Sequence, residues 1–177
     1  MIKFLKNNSL PVLFMLVTSY STFAQAVKEK SPAEYVNPYM GNISHMLVPT
    51  YPTIHMPNSM LRVYPERSDY NGDLLNGLPL MITSHRGSSA FNLSPFQGAL
   101  SDIKPVIKFS YDLEEIHPYS YHVYLDEQET TVDYGLASQS AKYTIHFEKE
   151  KESHLILNSR NGMLTWDGEA ISGYQII

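Results

Sequence analysis

The sequence predicts an all-β chain folded as an antiparallel β-sandwich, and three observations carry that expectation. Strand-length segments rich in β-branched and aromatic residues recur at roughly ten-residue spacing through the second half. No stretch holds helical periodicity over three turns. Thirteen tyrosines stand against a single tryptophan, a balance that suits pleated, half-buried surfaces.

Taken in order, Met1 to Ala26 reads as a secretory leader. Lys3 and Lys6 form a positive start, Leu10 to Tyr20 a short apolar run, and Ala24-Gln25-Ala26 a small-residue cleavage pattern. Cleavage is expected near Ala26, with export to the periplasm or the cell exterior. The apolar run is too short to span a bilayer and contains Pro11. With no cysteine there is no residue to carry a lipid, so no membrane anchor is expected. Disulfides are excluded on the same ground, and the fold must rest on its core or on contacts with further chain. About 150 residues then remain, enough for one domain with a real core.

Val27 to Pro32 is a polar lead-in. Tyr35 to Pro65 is a nearly uncharged, proline-broken stretch with four tyrosines, two histidines and four methionines, expected as loop up to Asn58. Met60 to Tyr64 alternates ahead of Pro65 and reads as a short strand. Ser68 to Gly77 reads as turns, Leu78 to Thr83 as a strand, and Ser84 to Gln97 as polar loop. Val106 to Tyr111, Ser120 to Leu125, Thr130 to Ala137, Lys142 to Phe147 and His154 to Leu157 are the regular strands. In the fourth of these, Tyr143, Ile145 and Phe147 share one face, and Lys142, Thr144 and His146 the other. Trp166-Asp167-Gly168 signals a turn, and Glu169 to Ile177 a last strand. An apolar final strand leaves an edge able to pair with another chain. Either a partner supplies the next strand, or the sandwich is incomplete and the chain is a piece of a longer polypeptide.

Charge and motifs narrow the function. Loss of Lys3 and Lys6 with the leader takes the 13 basic residues to 11 against 18 acidic. An acidic exported chain without a basic cluster argues against nucleic acid and anionic membrane surfaces. Phosphate-binding glycine loops, HExxH, GxSxG and EF-hand patterns are all missing. The acidic groups Asp112, Glu114, Glu115; Asp126, Glu127, Glu129; and Glu148, Glu150, Glu152 read as solvated turns or strand ends. They nominate no acid–base pair of the kind glycoside hydrolysis needs. None of the seven histidines shows metal-ligand spacing. His122, His146 and His154 fall in strands, as surface or packing positions. His45, His55 and His85 fall in loops, where binding groups are displayed; the plainer reading is a histidine bonded to a nearby carbonyl. Asn42-Ile43-Ser44 and Asn92-Leu93-Ser94 are sequons.

The loops and strands together resemble the N-terminal domain of glycoside hydrolase family 92, the calcium-dependent exo-α-mannosidases. Tyr35-Val36-Asn37-Pro38-Tyr39-Met40-Gly41 is similar to that family's V-N-P-F-I-G. Tyr51 to Glu66 parallels its Y-P-G-A-x-x-P-F-G-M-x-x-x-S-P-D. Tyr121-His122-Val123-Tyr124-Leu125-Asp126 resembles Y-x-V-x-L-D, Val132 to Phe147 follows a further strand motif in outline, and Ile171-Ser172-Gly173-Tyr174 resembles I-x-G-Y. The chain departs from the family at Asn42 to Thr50, at Pro57-Asn58-Ser59 and at Ser84 to Ser89, and Ser140-Ala141-Lys142 replaces an arginine region.

The resemblance implies a galactose-mutarotase-like supersandwich packed on a separate, C-terminal (α/α)₆ domain. That domain would supply the catalytic acid and base and most calcium ligands. The β-domain would contribute loops to a pocket for mannose-containing glycans, with no catalytic or metal-ligating residue of its own. His45, His55, His85 and Arg86 are the residues expected to touch sugar, as donors to hydroxyls. The alternatives are a stand-alone carbohydrate-binding module using its Tyr/His loops, and a structural surface protein that pairs its edge strand with a partner.

Overall fold

The alternating segments of the second half build the larger of two facing sheets. A computed structural model describes residues 29–42, 46, 50–67, 72–82, 89–104, 107–148 and 150–177. The leader, Met1 to Ala26, therefore lies outside the described residues. The chain divides after Lys30, and the fold is that of Ser31 to Ile177.

Among the described residues ten strands follow in order: β1 (Leu74–Leu75), β2 (Leu78–Ile82), β3 (Ser89–Gln97), β4 (Phe109–Ile116), β5 (Ser120–Leu125), β6 (Thr130–Leu136), β7 (Ala141–Phe147), β8 (Ser153–Asn158), β9 (Gly162–Trp166) and β10 (Ile171–Gln175). One antiparallel sheet has the order β1-β4-β5-β6-β7, a second the order β2-β3-β8, and β9 and β10 form a hairpin. The domain is a β-sandwich. Strict alternation buries Tyr121, Val123 and Leu125 of β5 and Val132, Tyr134 and Leu136 of β6. Phe109 of β4 and Leu78 of β2 join them, with Leu93 of β3 packed at the margin. The Tyr143 hydroxyl on β7 donates to the Pro79 carbonyl on β2 at 2.9 Å, tying the two sheets across the core.

Three expectations need correction. Met60 to Tyr64 is no regular strand but part of an extended strap with isolated bridges, Ile54 to Val63 and Arg67 to Leu75. It meets strands of both sheets: Ile82 N–H on β2 donates to Arg62 O at 2.8 Å, Arg67 bridges Leu75 on β1, and Asn76 N–H, just after β1, donates to Glu66 O at 2.8 Å. The strap thus closes the gap between β2 and β1 and seats Ile54 and Val63 in the core. Ser84 to Gln97 is not all loop, because Ser89–Gln97 is β3 and pairs on both sides. Ser89, Asn92 and Ser94 on this strand are all buried, so polarity concealed a buried strand. β4 also continues through Asp112, Glu114 and Glu115, where the sequence reads as a solvated turn or strand end.

The β9–β10 hairpin closes on Asp167, whose Oδ1 accepts the N–H groups of Glu169 at 2.9 Å and Ala170 at 2.7 Å. Those backbone donors, Ala170 first, hold its carboxyl below the usual carboxylate range. At the other end of the hairpin, the Gln175 amide accepts from Phe91 N–H at 2.8 Å and donates to Ser89 O at 2.6 Å. It thereby acts as a one-residue strand on β3, just beyond the last β8 pair at Asn92.

Core and surface should separate clearly in stability. Leu125→Ala removes a fully buried side chain and is expected to cost about 2–5 kcal/mol in urea unfolding. Leu155→Ala, at an exposed strand position, should stay within about 0.5 kcal/mol. Equal losses would contradict the core placement.

Candidate functional site

The opening stretch folds as a chain of tight turns. Asn37 Oδ1 accepts from Tyr39 N–H at 3.0 Å, an Asx turn, while Pro38 presets the backbone. Met40 N–H then donates to Asn37 O at 3.2 Å and Asn42 N–H to Tyr39 O at 3.1 Å. Gly41 takes φ +89°, a conformation open to glycine, and its carbonyl accepts from Thr50 N–H at 3.0 Å. The turns aim Tyr39 at the body of the sandwich, where its hydroxyl donates to Glu114 Oε2 at 3.2 Å.

Glu114 is where three quoted motifs meet. Tyr39 comes from the first. Arg67, directly after the second, forms a buried ion pair with Glu114 Oε1. Tyr121, from the third, donates to the same oxygen at 3.1 Å. The Arg67 guanidinium also lies 4.8 Å from the centre of the Tyr111 ring, a cation–π contact.

Glu66, one residue earlier, points the other way, as neighbours on extended backbone do. Its Oε2 accepts from Ser89 Oγ at 3.0 Å and Asn92 Nδ2 at 3.2 Å, both on β3. Arg160, between β8 and β9, pairs with its Oε1. Gly77 makes room for this: a Cβ there would sit 2.0 Å from Asn92 Oδ1.

The cluster's chemistry follows from its pairing. Burial alone would push the Arg67 guanidinium down, but its hydrogen bond and charge contact with Glu114 outweigh this and hold it above its ordinary value. Burial, then the Glu114 charge, raises the hydroxyls of Tyr39 and Tyr121 well above the phenol range. Burial alone pushes Tyr134 up to about 12. The tyrosines are therefore held as proton donors, and both carboxylates are committed to arginines. The arrangement fixes geometry and offers no free acid or base.

Residues 35–176 match the model of the Glycosyl hydrolase family 92 N-terminal domain. The chain belongs to glycosyl hydrolase family 92. Among solved structures it is similar to the family GH92 inverting mannosidase BT2199 of Bacteroides thetaiotaomicron, with a TM-score of 0.63 and 20% identity over 84% of this chain. It spans 24% of that enzyme's length. No curated protein sequence matches it.

Within this family-92 domain, the predicted sugar contacts are not brought together by the described residues. His45, His85 and Arg86 lie outside them. His55 is exposed beside the strap, its Nε2 3.4 Å from Ser59 O, the plainer of the two arrangements foreseen for a loop histidine. His154 likewise meets Gly98 O at 3.1 Å. Asn92 is buried and hydrogen-bonded to Glu66, so its sequon is closed to a glycan. Sequence reading missed Glu66, Arg67, Glu114 and Arg160. The available signal was Glu66-Arg67 beside Pro65, after a stretch whose one charged residue is Arg62. Among the described residues no group of three or more His, Asp or Glu is placed to hold a metal ion. With Glu66 and Glu114 taken by arginines, these residues do not fit a calcium site.

Two outcomes follow from the cluster. Glu114→Leu strands a buried guanidinium and is expected to cost about 3–5 kcal/mol in denaturant unfolding. The double variant Arg67→Met/Glu114→Leu should recover most of that loss, and no recovery would show that the pair is not the unit. The raised tyrosines give a pH dependence: their stabilisation is full below the unfolded phenol value of about 10 and is lost as pH climbs through the folded values. The tyrosinate absorbance of the buried group, Tyr121 and Tyr134 among it, should therefore be delayed above pH 10, towards the value of about 12 for Tyr134, in step with loss of near-ultraviolet dichroism. Complete titration of every tyrosine near 10 with the fold intact would contradict the buried placement.

Proposed function

We propose that this domain forms one wall of the sugar pocket in an exported, α-mannosidase-type enzyme and packs on a separate catalytic (α/α)₆ domain. The carrying observation is that the two carboxylates of the cluster, Glu66 in the second motif and Glu114 where the motifs meet, are each held by an arginine. Glycoside hydrolysis by inversion needs one carboxyl that keeps its proton and another free to activate water. A carboxylate locked to a guanidinium serves neither role. The domain then supplies shape and hydrogen bonds, and the acid, the base and the calcium ligands belong to the other domain.

Exposed apolar side chains support docking. Tyr35, Met40 and Met60 stand in solvent in the first half, as do Met163, Trp166, Ile171 and Tyr174 on the hairpin. In the assembled enzyme, His45, His55, His85 and Arg86 donate to mannose hydroxyls, and the leader is removed near Ala26 during export.

The full-length enzyme should hydrolyse an aryl α-mannoside in the presence of calcium, while this chain alone should not. Robust turnover by the chain alone overturns the reading. In the full-length enzyme, His55→Ala or Arg86→Ala should raise KM by about three- to tenfold with little change in kcat, the loss of one hydrogen bond. Unchanged KM in all four single alanine variants would remove these residues from the pocket.

A further inference from the structure

The outward face of the five-stranded sheet carries a polar depression that takes no part in the motif cluster. Register lays two cross-strand rows side by side. Glu115, His122, Asp133 and Thr144 form one row from β4 to β7. Ser120, Gly135 and Lys142 form the next, from β5 to β7. The pleat turns both rows away from the core, in keeping with the alternating burial of β5 and β6.

Gly135 lies at the centre, and nothing structural requires glycine there. Its φ is not among the positive ones, and a Cβ at this position would meet no atom within 4 Å. A glycine inside a strand weakens it, and one with neither a conformational nor a packing reason marks a place where something else approaches the backbone. The missing side chain opens the floor of a depression of about 270 Å³, walled by Glu115, His122, Asp133, Lys142 and Thr144. Across Gly135 it continues into a second hollow of about 400 Å³, edged by Tyr119 and Ser140. His122 Nδ1 is 2.7 Å from Asp133 Oδ1, which fixes the ring and leaves Nε2 without a partner among the described residues. At the rim, the rings of His117 and Tyr119 stack 5.6 Å apart and 11° from parallel.

We infer that this depression is a second carbohydrate site, taking a neutral pyranose over Gly135. Two carboxylates, an ammonium and an oriented imidazole mix donors and acceptors of both signs. That mixture suits hydroxyls, which both give and accept hydrogen bonds, better than it suits an anion or a cation. The His117–Tyr119 stack offers an aromatic edge to sugar C–H groups, and the backbone at Gly135 lets the ring approach the sheet. The site shares no residue with the loop pocket of the proposed function and does not depend on it.

The test is an amide chemical-shift titration of the whole chain by NMR, with methyl α-mannoside in one arm and inorganic phosphate in the other. Saturable shifts at His122, Asp133, Gly135 and Lys142 are expected with the mannoside and not with phosphate. Gly135→Val fills the floor with a residue that favours strands, and His122→Ala removes the oriented ring. Each should weaken binding at least about tenfold while near-ultraviolet dichroism stays native. Leu155→Ala, at an exposed position on β8, should change nothing. No saturable shift with the mannoside, shifts with phosphate alone, or undiminished affinity in both variants overturns the site. Sensitivity to His55→Ala alone would place the sugar in the loop pocket, which also overturns this proposal while supporting the other.

Discussion

Glu66 and Arg67 are consecutive residues that serve opposite sheets, and the architecture turns on them. Extended backbone sends their side chains in opposite directions. Glu66 reaches β3 and Arg160, while Arg67 reaches Glu114 and Tyr111 on β4. A two-residue step in the chain thus rivets the two sheets through charge. Such a rivet works only if both ends are complete, since an unpaired charge this deep costs several kcal/mol. That demand explains the buried Ser89 and Asn92 of β3, the tyrosine hydroxyls around Glu114 and the glycine at position 77.

The same constraint reaches outward to the opening loop. Its Asx turn, its proline and the left-handed Gly41 aim one hydroxyl, that of Tyr39, at Glu114. Loop and sandwich are therefore coupled through a single carboxylate. A pocket wall built from this stretch would inherit the rigidity of the core beneath it, which suits a surface that must hold a sugar ring against chemistry performed elsewhere.

Much of the fold was legible residue by residue. Ser120–Leu125 is a strand with the bounds its alternation predicts, and the two faces of β7 fall as expected, because period 2 and burial on one side agree there. The cluster was not legible, for a local reason. β4 shifts register between Asp112 and Glu115, with Leu113 at φ +53°. This bulge turns Leu113 out to 72% exposure and brings Glu114 inward, reversing what alternation would assign. An acidic triplet then looks solvated although one member is buried. β3 was hidden for the complementary reason: its polar residues are buried because Glu66 bonds Ser89 and Asn92, and Asn92 in turn accepts from Ser94.

By itself, then, the sequence determined the all-β class, most strands of the larger sheet and the family, since these depend on local periodicity and on motif order. Tertiary structure alone decided which charges are buried, that the strap from Met60 to Arg67 joins two sheets instead of forming a strand, and that the face over Gly135 is open. Those outcomes depend on partners tens of residues away, such as Glu114 for Arg67 and Arg160 for Glu66. No short-range pattern encodes them, because a charged side chain is stable inside a protein only when a distant segment arrives to complete it.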